Sequence, residues 1–199
     1  MAERLRIAVA DDEKDMREYF EKILPRIGHQ VVSAAENGKE LVEHCRKHQP
    51  DLVITDIKMP DLDGIQAAEL IYRDGPIPVI LVSAHHDPAL IERAEADHVM
   101  GYLIKPIKQA NLEPAIGLAI RRFRQFQEIQ REAADLRKAL EDRKVIERAK
   151  GILMNRAQLS ESDAFRRLQK LASDKNQKLV EIAQSIVTAE QAFANGEQV

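Results

Sequence analysis

Cysteine is nearly missing from this chain: among 199 residues only Cys45 carries a thiol. A single thiol excludes a disulfide framework or a Cys-based zinc site within the chain, and it fits a reducing compartment. Leu41 and Val42 stand beside it at helical spacing, so a small buried hydrophobe is the expected role, ahead of a reactive nucleophile. Tryptophan is absent and aromatics make up 4% of the residues, too few for a platform that stacks single-stranded bases. No apolar run approaches the ~20 residues needed to cross a bilayer. No charged-then-apolar leader precedes Asp11 and Asp12, so a cytoplasmic protein without membrane contact is expected. A glycine-rich phosphate loop, a nucleophile elbow and an HExxH pair are also missing, which argues against an independent enzyme.

What is present suffices for two domains. Apolar residues make up 44% of the chain, enough for a sizeable core. In the first part, short apolar runs alternate with amphipathic stretches. Strands are expected at Leu5–Ala10, Val31–Ala35, Leu52–Thr55, Val79–Ser83 and Tyr102–Ile104, with helices beginning near Glu13, Gly38, Gly64, Pro88 and Asn111. Runs such as IAVA, LVIT and VILV are continuous and rich in β-branched residues, as parallel strands covered on both faces should be. Five such units with right-handed crossovers fit an α/β, flavodoxin-like (βα)5 fold with strand order 2-1-3-4-5.

After Asn111 the strand signal ends. Leu112, Ile116, Ala119, Phe123 and Phe126 recur at alternating steps of four and three. A step of three to Ile129 then opens a second register, Ile129, Ala133, Leu136, Leu140 and Arg143, so the heptad is interrupted by a stammer. A long connector helix or coiled coil with a dimer seam is expected, the alternative being two helices that pack on their own domains. Three short helices should follow: one from Val145 to near Asn155, one capped by Ser160 with Asp163 in its first turn, and one from Leu179. Ala164, Phe165, Leu168, Leu171 and Ala172 would form the apolar face of the second, and Asn195–Val199 should fray. The expected domains are residues 1–122, a connector over 123–142, and a small all-α domain over 143–194.

On the expected sheet, Asp11, Asp12, Asp56, Ser83 and Lys105 all fall at the carboxyl edge, where open parallel sheets form their crevice. Carboxylates gathered there repel one another unless a hard cation joins them, and Mg²⁺ suits carboxylates, carbonyls and water. Asp12 and Asp56 would hold it directly, Asp11 directly or through water, and the backbone carbonyl of Lys58 would add a further oxygen. A carboxylate can also accept a phosphoryl group as an acyl phosphate, the role expected of Asp56. Lys105 and Ser83 would neutralise and bind the phosphoryl oxygens. A cis Lys105–Pro106 bond is a possibility that the sequence leaves open. His85, His86 and Asp87 lack further ligands at metal-site spacing and read as a solvated loop.

The segments VADDE, DIKMPDLDG, LVSA and YLIKP, in this order and spacing over residues 5 to 110, resemble the receiver domains of two-component response regulators. The resemblance implies phosphorylation of Asp56 by a sensor histidine kinase or phosphotransfer protein, Mg²⁺ dependence and slow self-dephosphorylation. It also makes Tyr102 a switch residue that follows the Ser83 hydroxyl inward, the alternative being an aromatic that never moves. Lys58 would influence the lifetime of the phosphorylated state in a direction the sequence does not give.

Residues Arg143 to Lys178 hold ten basic and four acidic side chains, a tilt that suits phosphate neutralisation but also a plain solvated exterior. The stretch LRKALEDRKVIERAKGILMNRAQLSESDAFRRLQKLA, with LVEIAQSI after it, resembles the ANTAR domain. This implies a homodimer, formed on phosphorylation, that binds RNA stem-loops in nascent transcripts and prevents termination. RNA contact is then expected at Arg143, Lys150 and Arg167. Gly151 would permit close approach or, equally, tight helix packing. Two other outputs remain open at this stage: a DNA-binding response regulator and a phosphorylation-controlled protein-interaction switch.

Overall fold

The computed structural model describes residues 4–84 and 99–196 and divides after Gln127 into two compact units. The helix expected near Pro88 and the His85–His86–Asp87 segment lie outside the described residues.

The first unit is built on five strands, β1 (Arg6–Ala10), β2 (Gln30–Ala35), β3 (Leu52–Asp56), β4 (Val79–Ser83) and β5 (Val99–Ile104). They form one sheet in the order β2-β1-β3-β4-β5, with every neighbouring pair parallel. Alternation along each strand feeds two cores. Ile7, Val9, Ile54, Ile80 and Val82 face one side, where Phe20 and Leu24 of α1 (Lys14–Arg26) and Leu112 and Ile116 of α4 (Gln109–Ala157) cover them. Ala8, Ala10, Val53, Val79 and Leu81 face the other, against Leu41, Val42 and Cys45 of α2 (Gly38–His48) and Ala67, Ala68 and Ile71 of α3 (Gly64–Asp74). Because side chains alternate with period two, a strand buried on both faces must be apolar throughout. That is why β3 and β4 read as unbroken runs and are buried at every position.

Polar punctuation sets the helix starts. Asn37 caps α2 by accepting the Glu40 N–H at 3.0 Å. Asp63 and Gln66 form a reciprocal capping box on α3, at 2.7 and 3.2 Å. β5 begins at Val99, three residues before the expected start. Gly101 lies opposite Ile80 in the ladder, and a strand glycine adds no side chain to the apolar pattern.

The helix expected from near Asn111, the long connector and the helix expected from Val145 to near Asn155 are one helix, α4, of 49 residues. Along it, Leu112 to Phe123 pack on the sheet of the first unit. Val145, Ala149, Ile152 and Leu153 pack within the second, where α5 (Glu161–Lys175) and α6 (Leu179–Gly196) supply Leu168, Ile182, Ala183 and Val187. Ser160 caps α5 as expected, accepting from the Asp163 N–H at 3.2 Å. Phe165 departs from its expected place on the apolar face and is 36% exposed, while Ala164 and Leu168 are fully buried. Helix α6 continues through Asn195 to Gly196, into the segment expected to fray. Among the described residues, six helices surround or follow the sheet, and none is long and apolar enough to cross a membrane.

Candidate functional site

Four chain segments end at the carboxyl edge of the sheet, and backbone hydrogen bonds hold them in place. The Asp11 N–H donates to the Ala35 carbonyl at 3.2 Å, and the Lys105 N–H to the Ser83 carbonyl at 2.8 Å. Asp56 is the last residue of β3. The loop beyond it closes on Gly64, whose N–H donates to the Ile57 carbonyl at 2.9 Å. A Cβ on Gly64 would overlap the Asp56 carbonyl oxygen, so only glycine lets the loop pass so near.

At the centre stands the Lys105 ammonium, 3.0 Å from Asp11 Oδ2, 3.0 Å from Asp56 Oδ1 and 3.1 Å from Glu13 Oε1. Residues 11, 56 and 105 thus come together although they lie on three separate chain segments. The second Asp56 oxygen accepts the Lys58 N–H at 2.7 Å, and Asp11 Oδ1 accepts the Glu13 N–H at 3.0 Å. Asp11 is fully buried and Asp56 is 6% exposed. Burial raises both carboxyls above the usual carboxylate range. Lys105 and a backbone N–H lower each of them, whereas Asp56 repels Asp11 and Asp12 repels Asp56. Burial opposes the charge of Lys105 too, yet the carboxylates of Asp11, Asp56 and Glu13 hold the ammonium above its ordinary range.

One acceptor is left over. Asp11 Oδ2 is buried and has the Lys105 ammonium 3.0 Å away as an ion-pair partner, but accepts no hydrogen bond by geometry. Carboxylate oxygens of Asp11, Asp12 and Glu13 fall within 4.8 Å of one another. A buried carboxylate oxygen that is ion-paired but makes no hydrogen bond, set among hard oxygen donors, fits Mg²⁺. Ser83 ends β4 and is buried, Tyr102 is half-buried on β5, and Lys58 follows Asp56 by two residues. The Lys105–Pro106 bond is cis.

Two residues at this edge escaped the sequence reading. Glu13 occupies the N-cap position of α1 but makes no capping hydrogen bond; its carboxylate turns to Lys105 instead. The signal was the acidic run Asp11–Asp12–Glu13 itself. Arg17 donates to the carbonyls of Asp11 and Asp12 at 2.9 and 3.0 Å and pairs with Glu36 at 2.6 Å. Nothing in the local pattern marks it, because its partners lie on two different loops.

In the second unit, the residues expected to contact RNA are placed unequally. Arg143 and Arg167 are exposed. Lys150 is not: its side chain is 10% exposed and pairs with Glu147 at 2.8 Å and Glu161 at 2.7 Å. Those two glutamates raise its pKa. A lysine whose donors are already engaged offers little to an outside phosphate, which sets Lys150 apart from the exposed Arg143 and Arg167. Gly151 has no atom within 4 Å of where a Cβ would stand, which removes tight packing within the chain as its reason.

Comparison with known proteins agrees with this arrangement. Residues 7–117 match the response regulator receiver domain, and residues 134–187 match the ANTAR domain. The transcriptional regulatory protein PdtaR of Mycobacterium tuberculosis is 38% identical over 182 residues, 92% of this chain and 89% of that protein. Chemotaxis protein CheY of Bacillus subtilis is 36% identical over 112 residues, 56% of this chain and 93% of that one. Among solved structures, the response regulator domain of Thermotoga maritima CheB superposes with a TM-score of 0.55 at 30% identity, covering 60% of this chain and 98% of that one. With its 2-1-3-4-5 sheet, its acidic edge and both matched segments, the chain belongs to the response regulators and carries a receiver domain followed by an ANTAR domain.

Proposed function

We propose that Asp56 accepts a phosphoryl group from a sensor histidine kinase or phosphotransfer protein, and that this controls dimerisation and RNA stem-loop binding by the ANTAR domain, giving transcription antitermination. The observation that carries this reading is the Lys105 ammonium, held within 3.0 Å of both Asp11 and Asp56.

A carboxylate oxygen of Asp56 attacks the phosphorus, the bond to the donor breaks, and an acyl phosphate remains. Lys105 moves from the carboxylates to a phosphoryl oxygen, and the Ser83 hydroxyl donates to another. Asp11, Asp12, Asp56 and the Lys58 carbonyl would hold Mg²⁺, which supplies neutralisation of the gathered negative charge. Glu13 and Arg17 position the acidic loop. When Ser83 turns inward, Tyr102 follows and alters the face around β5. Slow self-dephosphorylation resets the switch. The domains assigned to these steps are residues 1–122, the connector 123–142 and the output domain 143–194. Arg143 and Arg167 supply phosphate contacts, Gly151 leaves room for a close backbone approach, and Lys150 positions the turn between α4 and α5 through Glu161.

Gel shifts with transcript stem-loops and with duplex DNA, each with and without acetyl phosphate, test the output. Phosphorylation should raise affinity for the stem-loop and leave affinity for the duplex weak. Preference for duplex DNA, or no nucleic-acid binding at any salt concentration, would overturn it in favour of the DNA-binding or protein-interaction reading.

A further inference from the structure

Helix α2 carries a polar row that the acidic edge does not use. Glu40, His44 and His48 follow one another at steps of four, so their side chains leave one face of the helix. Leu41, Val42 and Cys45 face the core instead. The two imidazole rings already stand together, with centroids 5.9 Å apart and planes at 80°. Both histidines are half-buried rather than fully solvated.

His44 is held between two oxygen groups. Its Nδ1 lies 2.7 Å from the Ser33 hydroxyl on β2, and its Nε2 lies 3.6 Å from Glu40 Oε1. The other Glu40 oxygen accepts the Glu36 N–H at 2.8 Å, which fixes the carboxylate. A separation of 3.6 Å is too long for a hydrogen bond. It is close to the gap of about 3.4 Å between two ligands that each bind one tetrahedral ion at about 2.1 Å. The neighbouring cation Arg46 is turned elsewhere, to Asp74 at 2.6 Å.

We propose that Glu40, His44 and His48 form a site for a Zn²⁺ ion, outside the Asp11–Asp12–Glu13 cluster. Imidazole nitrogens select Zn²⁺ over Mg²⁺, which takes oxygen ligands. Ser33 is a positioning residue. Metal binding selects the tautomer in which the His44 Nδ1–H donates to the Ser33 hydroxyl, leaving the Nε2 lone pair for the ion. Metal-bound histidines are oriented in this way by the acceptor on their second nitrogen. His48 joins by a turn of its half-buried side chain toward His44. Three protein ligands leave the fourth position to water.

The test uses the full chain without a histidine tag, stripped of metal by EDTA. It is titrated calorimetrically with zinc chloride in excess Mg²⁺, which keeps the acidic edge occupied. One Zn²⁺ should bind per chain. Ser33→Ala should weaken binding about tenfold, the cost of losing the partner that orients a ligand. His44→Gln and His48→Gln should each weaken it by more than that, and His85→Gln with His86→Gln should leave it unchanged. Melting without metal checks that every variant is folded. Co²⁺ in place of Zn²⁺ should give the visible absorption of a tetrahedral ion, a signature that a change in folding alone does not produce. A wild-type chain that binds no Zn²⁺ overturns the site, as does undiminished binding in His44→Gln or His48→Gln. Undiminished binding in Ser33→Ala overturns the positioning role.

Discussion

Two lysines, one in each unit, are held between carboxylates at similar distances and mean different things. Lys105 is 15% exposed and Lys150 10% exposed. The partners of Lys105 include Asp11, fully buried, and Asp56, nearly so, delivered by different strands. The partners of Lys150 are Glu147 and Glu161, whose side chains are 53% and 70% exposed. Buried carboxylates that burial itself raises in pKa are poorly satisfied, and a site that stores such charge is prepared to receive a cation or a phosphoryl group. Exposed carboxylates lose little by ionising. Around Lys150 the same geometry is a clamp between two helices, with nothing in reserve.

Replacing each lysine in turn sets the two sites against each other with the largest expected effect. Lys105→Met should slow labelling by acetyl phosphate about a hundredfold, as expected when a positioned charge is lost from the transferring group. It should also cost about 2 kcal/mol at pH 7 without Mg²⁺, less than a fully buried broken pair because the cleft opens to solvent. Lys150→Met should leave the labelling rate unchanged. Its effect should show as a modest fall in melting temperature and in RNA affinity, with the salt slope of RNA binding unaltered because no phosphate contact has been removed. Equal labelling defects in the two variants would erase the distinction.

Asp11→Asn probes the stored charge with a smaller effect. The folded pKa values of Asp11 and Asp56 lie above the ordinary carboxylate value, so between the two values the folded state binds more protons than the unfolded one. Stability therefore falls as pH rises through that window, and at neutral pH the ionised pair works against folding. Asp11→Asn should melt higher than the wild type at pH 7 without Mg²⁺, and excess Mg²⁺ should remove that advantage by stabilising only the wild type. Thermal unfolding at pH 4 and pH 7, with and without the cation, checks both signs.

Gly151 provides the smallest effect and bears on the output unit. With no neighbour within 4 Å of the place an added methyl would occupy, Gly151→Ala should stabilise the helix by about 0.5–1 kcal/mol. Stem-loop affinity should fall despite the gain, if an RNA backbone approaches there. Unchanged affinity would show that this glycine is not at the interface.

Much of the receiver unit was legible because its physics is local. β3 and β4 must be apolar on both faces, and in the second unit the cap at Ser160 announces a helix start. Asp11, Asp56 and Lys105 could be grouped because strand ends in a parallel sheet share one edge. The start of β5 was hidden by Gly101, and Arg17 by partners that only the tertiary fold supplies. The ion pairs of Lys150 were hidden for the same reason. Glu147 at i−3 was visible beforehand, but Glu161 reaches it only after the turn into α5 closes.

Whether Asp56 takes the phosphoryl group can be decided chemically. The full chain is treated with acetyl phosphate and Mg²⁺, acyl phosphates are trapped by borohydride reduction, and the modified residue is located by peptide mass spectrometry. Modification is expected at Asp56 and should be lost in Asp56→Asn. Modification confined to another residue, or equal labelling of the variant, would contradict the assignment of Asp56 and with it the switch.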